Sequence, residues 1–596
     1  MNLDWVMVAL SGLKAFAVVM FAMNLAVLLT WADRRQGAAI QDRVGPNRAV
    51  IWVPTPLAQG MAVLPALGVA AALPAYVKFN AELRESLIGG ASLVISQLAI
   101  FFVWFTALAI AGKVRNRGVR NSFDAFLAGF GDPRRIVYVG LAAHAVTLAL
   151  GAFFRNTSTG DALAQVGVYG GAAVFSFAVL FGAGYAAYSI RGEPRVGLRL
   201  FGLLHPAADG LKTLFKEDFI PPKADRFLHS IAPLISFFPA LVVLGVVPFG
   251  DTLCFGVDQE GGLVLSELLA VVPKEGVCTQ GALSLGVIDL NVGVLYFFAL
   301  AGTGIVGAAL AGWASDNKYS LLGGLRAASQ MVSYEVTMGL TLIGAFMIYG
   351  SLRVDDMIRW QAENTWGVFV QPLGFVMFFA AAVAESKRIP FDLPEGESEI
   401  VAGYYTEYAG MKFAMFFFAE YIAVVTSSAL LAAIFLGGWH LPFINRAGIE
   451  VAIGDTVYFA QQLPHALVVV VGLLGFILKT IALCWVQLTI RWTLPRFRYD
   501  QLMKLGWRKL LPASLANILL TGMLILLVQG AGAKFLHGLE VAADLTMLAI
   551  ALLGIYATVQ LVLFLLKPPR KRRNYASSSA QFAAAMGGTR NARMQA

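Results

Sequence analysis

The sequence predicts an all-α polytopic membrane protein of about 13 transmembrane helices, N-terminus outside and C-terminus cytoplasmic. Two observations carry the fold class. Hydrophobic residues make up 58% of the 596-residue chain and the mean hydropathy is +0.71. A soluble chain sits nearer roughly 45–50% apolar. Apolar runs long enough to cross a bilayer recur at 5–31, 50–76, 88–111, 134–154, 163–190, 229–250, 287–312, 327–350, 366–385, 411–437, 465–490, 511–530 and 545–566. The run 50–76 holds Pro54, Pro56, Pro65 and Pro74 and is expected to bend or break.

Loop charge carries the orientation. With the N-terminus outside, the cytoplasmic loops hold Arg34, Arg35, Arg43 and Arg48, then Lys113, Arg115, Arg117 and Arg120, and later Arg491, Arg496, Arg498, Lys504, Arg508 and Lys509. The opposite loop, 251–286, carries Asp251, Asp258, Glu260, Glu267 and Glu275 against one Lys274. That asymmetry is the positive-inside bias. The net charge of +9 therefore reads as membrane orientation, with the lipid bilayer as partner and no nucleic acid. The run from Trp5 to Trp31 is too long for the core of a cleavable signal and reads as the first span. Cys254, Cys278 and Cys484 are scattered, which excludes a tetrathiolate iron–sulfur or zinc site made by this chain alone. No metal site is expected. The tail beyond Asn574 is small and polar and is expected to be disordered.

The most informative stretch runs from Glu385 to Tyr421. Charged residues are only 14% of the chain, yet these 37 residues carry six Glu and one Asp. Pro390 and Pro394 bar a regular helix through the first half, so Glu395 and Glu399 share a face only if a helix restarts at Pro394. A solvated acidic loop is the simpler reading. Against it, Glu385 and Glu420 lie in apolar flanks, where ionisable groups are costly and functional. Glu335 lies nine residues beyond Arg326, roughly 13 Å deeper along a helix expected to open at 327. Burying it costs of order 2–3 kcal/mol unless it is neutral, paired or hydrated, and Lys479 is the candidate partner. Residues 202–219 have the spacing of an amphipathic interfacial helix or a plain connector, and 490–512 that of a basic aromatic anchor.

Read in order, G-P-N-R (45–48), A-D-G-L-K-T-L-F-K-E (208–217), the stretch from Gly312 to Glu335, A-E-S-K-R-I-P-F-D-L-P-E-G-E-S-E (384–399) and P-R-F-R-Y-D-Q-L-M (495–503) resemble one family. That family is the H-type membrane subunit of proton-translocating NADH:quinone oxidoreductase, respiratory complex I. The resemblance implies a quinone tunnel shared with peripheral-arm subunits, lined by Arg34, Arg43, Asp209, Lys212, Arg326 and Arg491. It implies a proton path through Glu335, Glu385 and Glu420, joined to the quinone by Glu395, Glu397, Glu399 and Glu407. Quinone is then the substrate. NAD, FMN and the iron–sulfur clusters belong to partner subunits, among other membrane-arm and peripheral-arm chains, in a bacterial plasma membrane.

The chain departs from the family pattern. Asp33 stands where the pattern has Glu. About 150 residues separate two motifs that are almost contiguous in the family, so 49–196 reads as an insertion. Both its flanks belong to one cytoplasmic loop, which requires an even number of spans; four are counted. The expected organisation is a first family helix and basic loop (1–48), the insertion (49–196), the family core (197–530), an extra helix (531–566) and a basic tail (567–596). Three other readings are open. They are the equivalent subunit of a membrane-bound hydrogenase or ferredoxin-linked complex, an autonomous cation/proton transporter, and a structural anchor whose buried carboxylates are dispensable.

Overall fold

In a computed structural model of the chain, the structure describes residues 3–42, 45–46, 51–61, 63–64, 67, 195–198, 202–257, 263–264, 278, 281–454 and 456–565. The chain divides into two units. The first is residues 1–49 with 199–556, and the second 50–198 with 557–596.

The first unit is a helix bundle. Its main helices are α1 (Leu3–Ile40), α3 (Arg226–Val243), α4 (Gly293–Ala314), α5 (Lys318–Tyr349), α7 (Pro372–Glu385), α8 (Gly410–Phe435), α9 (His465–Thr493), α11 (Leu511–Gln529) and, as far as residue 556, α12 (Ala533–Leu565). Shorter helices α2 (Leu204–Phe215), α6 (Val354–Glu363) and α10 (Tyr499–Leu505) link them. Among the described residues eight helices are long and apolar enough to cross a membrane, and the apolar α7 is shorter. The eight fall on eight of the nine spans expected outside 49–196, and α7 falls on the ninth without the length to be counted with them. The expected spans 88–111, 134–154 and 163–190, and much of 50–76, lie outside the described residues.

The bundle is organised around α8. Buried residues make up 78% of its most apolar window, far more than in any other span, so it is the core helix and its neighbours wrap it. Helix α3 runs along α4 and α8, α4 along α5, α5 along α7, and α9 along α8. Small residues set the closest approaches. A β-carbon on Gly312 would stand 2.6 Å from Ser320 O, so α4 and α5 meet backbone to backbone there.

Several expectations need correction. Helix α5 begins at Lys318, capped by Asn317 Oδ1 accepting from Tyr319 N at 2.9 Å. Arg326 is therefore two turns inside the helix, because the polar Lys318–Ser320 turn continues the helix rather than preceding it. The expected span 366–385 is broken. A single turn, Gly367–Val370, ends at Gln371, and α7 starts at Pro372. Gln371 anchors the break, donating to Thr521 Oγ1 at 2.6 Å and accepting from Asn517 Nδ2 at 3.0 Å. The expected span 50–76 opens as a strand, because Ile51–Trp52–Val53 pairs with another strand ahead of the prolines.

Nor is the chain wholly α. Small antiparallel sheets occupy loops: β1 (Ile51–Pro54) with β2 (Arg195–Leu198) in the second unit, and in the first β4 (Leu263–Val264)–β3 (Leu253–Val257)–β5 (Gly281–Leu283) and β6 (Ile444–Asn445)–β7 (Gly448–Ile453)–β8 (Thr456–Gln462). The 448–462 hairpin follows from alternating β-branched residues around a Gly454 turn at φ 56°. Cys254 and Cys278 form a disulfide, a pairing that their scattered positions do not suggest.

Candidate functional site

The acidic stretch returns the chain from α7 to α8, and its fold is set by close contacts with α5. A single turn, Glu397–Ile400, is all the α-helix it contains. Pro394 does not start a helix, so Glu395 and Glu399 do not share a helical face. Gln330 on α5 clamps the loop, its Nε2 donating to Ala384 O and Phe391 O, both at 2.8 Å. Ser320 Oγ donates to Tyr404 O at 3.1 Å. Glycine makes this approach possible: a β-carbon on Gly323 would stand 2.5 Å from Tyr404 N. Gly403, at φ 62°, sits where a β-carbon would collide with Pro394 O. Lys387 (φ 54°) and Val401 (φ 66°) occupy left-handed backbone without being glycine, so the loop holds conformational strain where its charges lie.

The charges form a series from surface to interior. At the outer edge Arg326 pairs with Glu399 at 2.6 Å, and Asn317 Nδ2 donates to Glu407 Oε1 at 2.6 Å. Deeper, buried Asp392 pairs with Arg496 at 2.9 Å. Burial, and then the charge of Glu395, push the Asp392 carboxyl up to about 7 against the pull of Arg496. Deeper still, Lys387 Nζ donates to the Tyr404 hydroxyl at 3.2 Å, and that hydroxyl donates to Glu420 Oε1 at 3.0 Å. Arg388 Nη2 stands 3.3 Å from Glu420 Oε2, and its guanidinium stacks 4.0 Å over the Tyr421 ring. Burial lowers the Lys387 ammonium from its ordinary range and raises the Tyr404 phenol well above its own. Glu395 lies beside Glu420 and Tyr405 as an electrostatic neighbour.

This series ends on a cavity of about 70 Å³ between α3, α4, α5, α7 and α8, whose walls include Glu385, Lys387, Tyr404 and Glu420. Most of its lining is apolar, and Glu385, Ser386, Lys387, Tyr404, Glu420, Thr426 and Ser427 supply polar groups; water needs such partners, so its place in the cavity is beside them. Glu335 stands on α5 against α4, where a β-carbon on Gly302 would lie 3.0 Å from its Oε1. Its charge acts on Glu385. Lys387, Tyr404 and Glu420 stand at hydrogen-bond range beside a cavity that Glu385 also lines, and groups so linked can pass protons; the same groups isolated would only be expensive.

A second cluster joins α1, α8 and α9. Asp33 accepts from Arg491 Nη1, from Trp492 Nε1 at 2.8 Å and from the Tyr421 hydroxyl at 3.0 Å. Gly37 admits the Trp492 ring, which a β-carbon would meet at 2.6 Å. On the exposed face Arg34 pairs with Asp209 of α2 at 2.6 Å, and Lys212 is exposed on the same helix. Helix α2 buries no residue and leaves Leu211, Leu214 and Phe215 exposed, which fits the interfacial reading of 202–219.

Of the candidates from sequence, the structure brings together Arg34 with Asp209, Arg326 with Glu399, Arg491 with Asp33, and Glu385 with Glu420 on one cavity. Arg43 and the Glu397 side chain lie outside the described residues. Lys479 is not the partner of Glu335: its Nζ donates to Leu436 O, Gly438 O and His440 O at 2.7, 3.0 and 2.6 Å and lies 4.3 Å over the Trp366 ring. Those carbonyls end α8, and the ammonium caps them. Four residues of the series, Lys387, Arg388, Asp392 and Tyr404, lie outside the candidate set. Their signal is present as charge and phenol within the acidic stretch, but their contacts are not.

A family model described as NADH dehydrogenase matches residues 172–522. The chain belongs to the H-subunit family of NADH-quinone oxidoreductases. It is 44% identical over 362 residues to the NADH-quinone oxidoreductase H subunit numbered 2 in Geobacter metallireducens, covering 59% of this chain and 93% of that relative. It is 43% identical over 362 residues to the H subunit numbered 1 in Geobacter sulfurreducens, covering 59% and 92%. It is 40% identical over 369 residues to the H subunit of Bacillus thuringiensis, covering 60% and 93%. These relatives are thus matched over nearly their whole length by little more than half of this chain.

Proposed function

We propose that the chain is the membrane subunit of a multi-subunit NADH:quinone oxidoreductase in a bacterial plasma membrane, and that it couples quinone reduction to proton translocation. The observation that carries this reading is the run of charged groups of increasing burial, Arg326–Glu399, then Asp392–Arg496, then Lys387–Tyr404–Glu420 beside the cavity that Glu385 lines, with Glu395 an electrostatic neighbour of Asp392, Lys387 and Glu420. Partner subunits supply NAD oxidation, FMN and iron–sulfur clusters. Electrons reach quinone at a tunnel that peripheral subunits form together with Arg34, Arg43, Asp209, Lys212, Arg326 and Arg491. Quinone takes two electrons and two protons to become quinol. The loop carboxylates Glu395, Glu397, Glu399 and Glu407 respond to that charge change, and Asp392, with its carboxyl near 7, exchanges a proton within the working pH range. Glu395 is an electrostatic neighbour of Asp392 and also of Lys387 and Glu420, so it relays the change at Asp392 to that pair, and from there through the cavity to Glu385 and Glu335. The neutral form of each buried carboxyl is the low-cost resting state, so each step moves one proton rather than separating charge in the bilayer.

The disulfide supports the proposed orientation. Disulfides persist in oxidising compartments, so Cys254–Cys278 belongs on the outer face. This supports the N-out arrangement, with the acidic loop, at the other end of α8, on the cytoplasmic face. Residues 49–196 are proposed as an insertion within the first cytoplasmic loop. In support, β1 and β2 pair its two ends in register, Ile51 with Leu198, and Gly202 packs so tightly on Pro46 that a β-carbon would stand 2.2 Å from Pro46 O. The loop is thereby closed as if the intervening residues were absent. Neither the hydrogenase reading nor the transporter reading gains a specific observation.

The test is the double variant Glu397→Gln with Glu399→Gln in the assembled complex. Loss of quinone-linked NADH oxidation together with proton pumping is expected. Unchanged rates of both would remove the loop from the coupling.

A further inference from the structure

At the opposite end of the bundle from the acidic loop lies a cavity of about 640 Å³, well within the roughly 300–1,000 Å³ range of small-molecule sites. One wall is the loop after α8 with the β6–β8 sheet. The other walls are α6, the N-terminal part of α9, and α12, the helix after the residues matched by the family model. Helix α12 is held there by Asp544, whose Oδ2 accepts from Gly454 N at the hairpin tip at 2.9 Å. The lower wall is apolar and belongs to membrane spans: Val468, Val469 and Gly472 on α9 and Met547 on α12.

The polar wall has an uneven charge. Asp251, Glu363, Glu450 and Asp544 face the cavity against Arg359 and Arg446. Both arginines already contact Asp251, Arg446 by paired bonds of 2.6 and 2.7 Å and Arg359 at 3.3 Å. The exposed Glu363 carboxylate and Asp544 carry the excess negative charge. Two buried nitrogens on the same wall have no partner among the described residues. They are Trp439 Nε1 and Nδ1 of His440, a residue only 8% exposed. Burial, and then the charge of Lys479, drop the His440 imidazole to about 3, so it adds no positive charge to the wall. Orphaned buried nitrogens cost free energy that an occupant with polar atoms would recover.

We propose that this cavity binds the headgroup of an amine-bearing phospholipid of the outer leaflet. The ammonium meets the Glu363 and Asp544 carboxylates and the Trp439 face, the phosphate and ester oxygens accept from Trp439 Nε1, and an acyl chain runs down the Val468–Met547 wall. The proposal goes beyond the coupling function, and it accounts for the extra C-terminal helix, since without α12 the cavity has no far wall.

The test uses the intact complex, purified in detergent, delipidated and titrated with phosphatidylethanolamine or phosphatidylglycerol, with bound lipid counted by native mass spectrometry. The proposal expects retention of one phosphatidylethanolamine more than of phosphatidylglycerol. Two variants should weaken that retention at least tenfold: Glu363→Gln with Asp544→Asn, and Met547→Trp, which fills the apolar end. Met547→Leu should leave it unchanged, which separates filling from misfolding. Equal retention of both lipids, retention of neither, or binding unaffected by either variant would overturn the proposal.

Discussion

The two ends of the bundle contain similar kinds of charged groups and use them in opposite ways. Around α6, at the end that carries the disulfide (the outer end in the proposed orientation), charges are closed into compact sets. Asp251 is shared by Arg446 and Arg359, Arg359 also holds Asp355 at 2.8 Å, and Arg353 holds both Asp289 and Asp356. Each of these four acids contacts at least one of the three arginines, and the sets pin α6 to its neighbouring loops. At the inner end the partners are arranged in line. Glu420 touches Tyr404 on one side and Arg388 on the other, Tyr404 passes to Lys387, and Glu385 shares their cavity. Closed sets neutralise charge and stabilise; an open series leaves protons with alternative positions. Charge content alone does not distinguish a strut from a path, whereas connectivity does.

The largest expected effect breaks the series at its most buried carboxyl. Glu420→Gln keeps the size and one acceptor but removes the exchangeable carboxyl. Coupled quinone reduction should fall by about 10²-fold or more, as for loss of a proton-transfer group, measured as inhibitor-sensitive NADH oxidation in membranes. Asp251→Asn is the matching cut at the outer end. It leaves Arg446 and Arg359 short of a charge and should cost about 1–3 kcal/mol in stability. Thermal unfolding of the purified complex would show this, with the pH profile of activity unchanged.

A smaller effect concerns Asp392. In the folded chain its carboxyl keeps its proton to about pH 7, whereas an unperturbed aspartate titrates at 3.8. Between those values the native state binds the extra proton, so this residue's contribution to stability falls as pH rises from about 4 to 7. Asp392→Asn should remove an inflection near pH 7 from the pH–rate profile of quinone reduction. The smallest effect is at the rim. Arg326→Lys keeps the charge opposite Glu399 but loses the guanidinium fork, and because Glu399 is 47% exposed the pair is worth at most about 1 kcal/mol. A few-fold rise in the quinone KM is expected, with kcat little changed.

What the sequence discloses follows the same distinction. Helix positions outside 49–196 are legible because a bilayer demands about 20 apolar residues per crossing, and Glu335, Glu385 and Glu420 because ionisable groups in such runs are anomalous. Connectivity is not legible. The Asp33–Arg491 pair spans 458 residues, and the Lys387–Tyr404–Glu420 series depends on an irregular loop moulded by Gly323 and Gly403 rather than on any periodicity. Lys479 misleads because its charge suggests an acid as partner, whereas the carbonyls at the end of α8 satisfy it. The 448–462 hairpin escapes a search for apolar runs, in which the region is only the gap between two spans.

The most direct measurement reconstitutes the complex carrying Glu420→Gln beside the Asp251→Asn complex in proteoliposomes. NADH oxidation and internal acidification are then recorded together. The account predicts that the Asp251→Asn complex pumps at the wild-type ratio of protons to NADH, and that Glu420→Gln loses pumping along with most of its quinone reduction. Full pumping by Glu420→Gln at the wild-type ratio would contradict the claim that the buried series carries the protons.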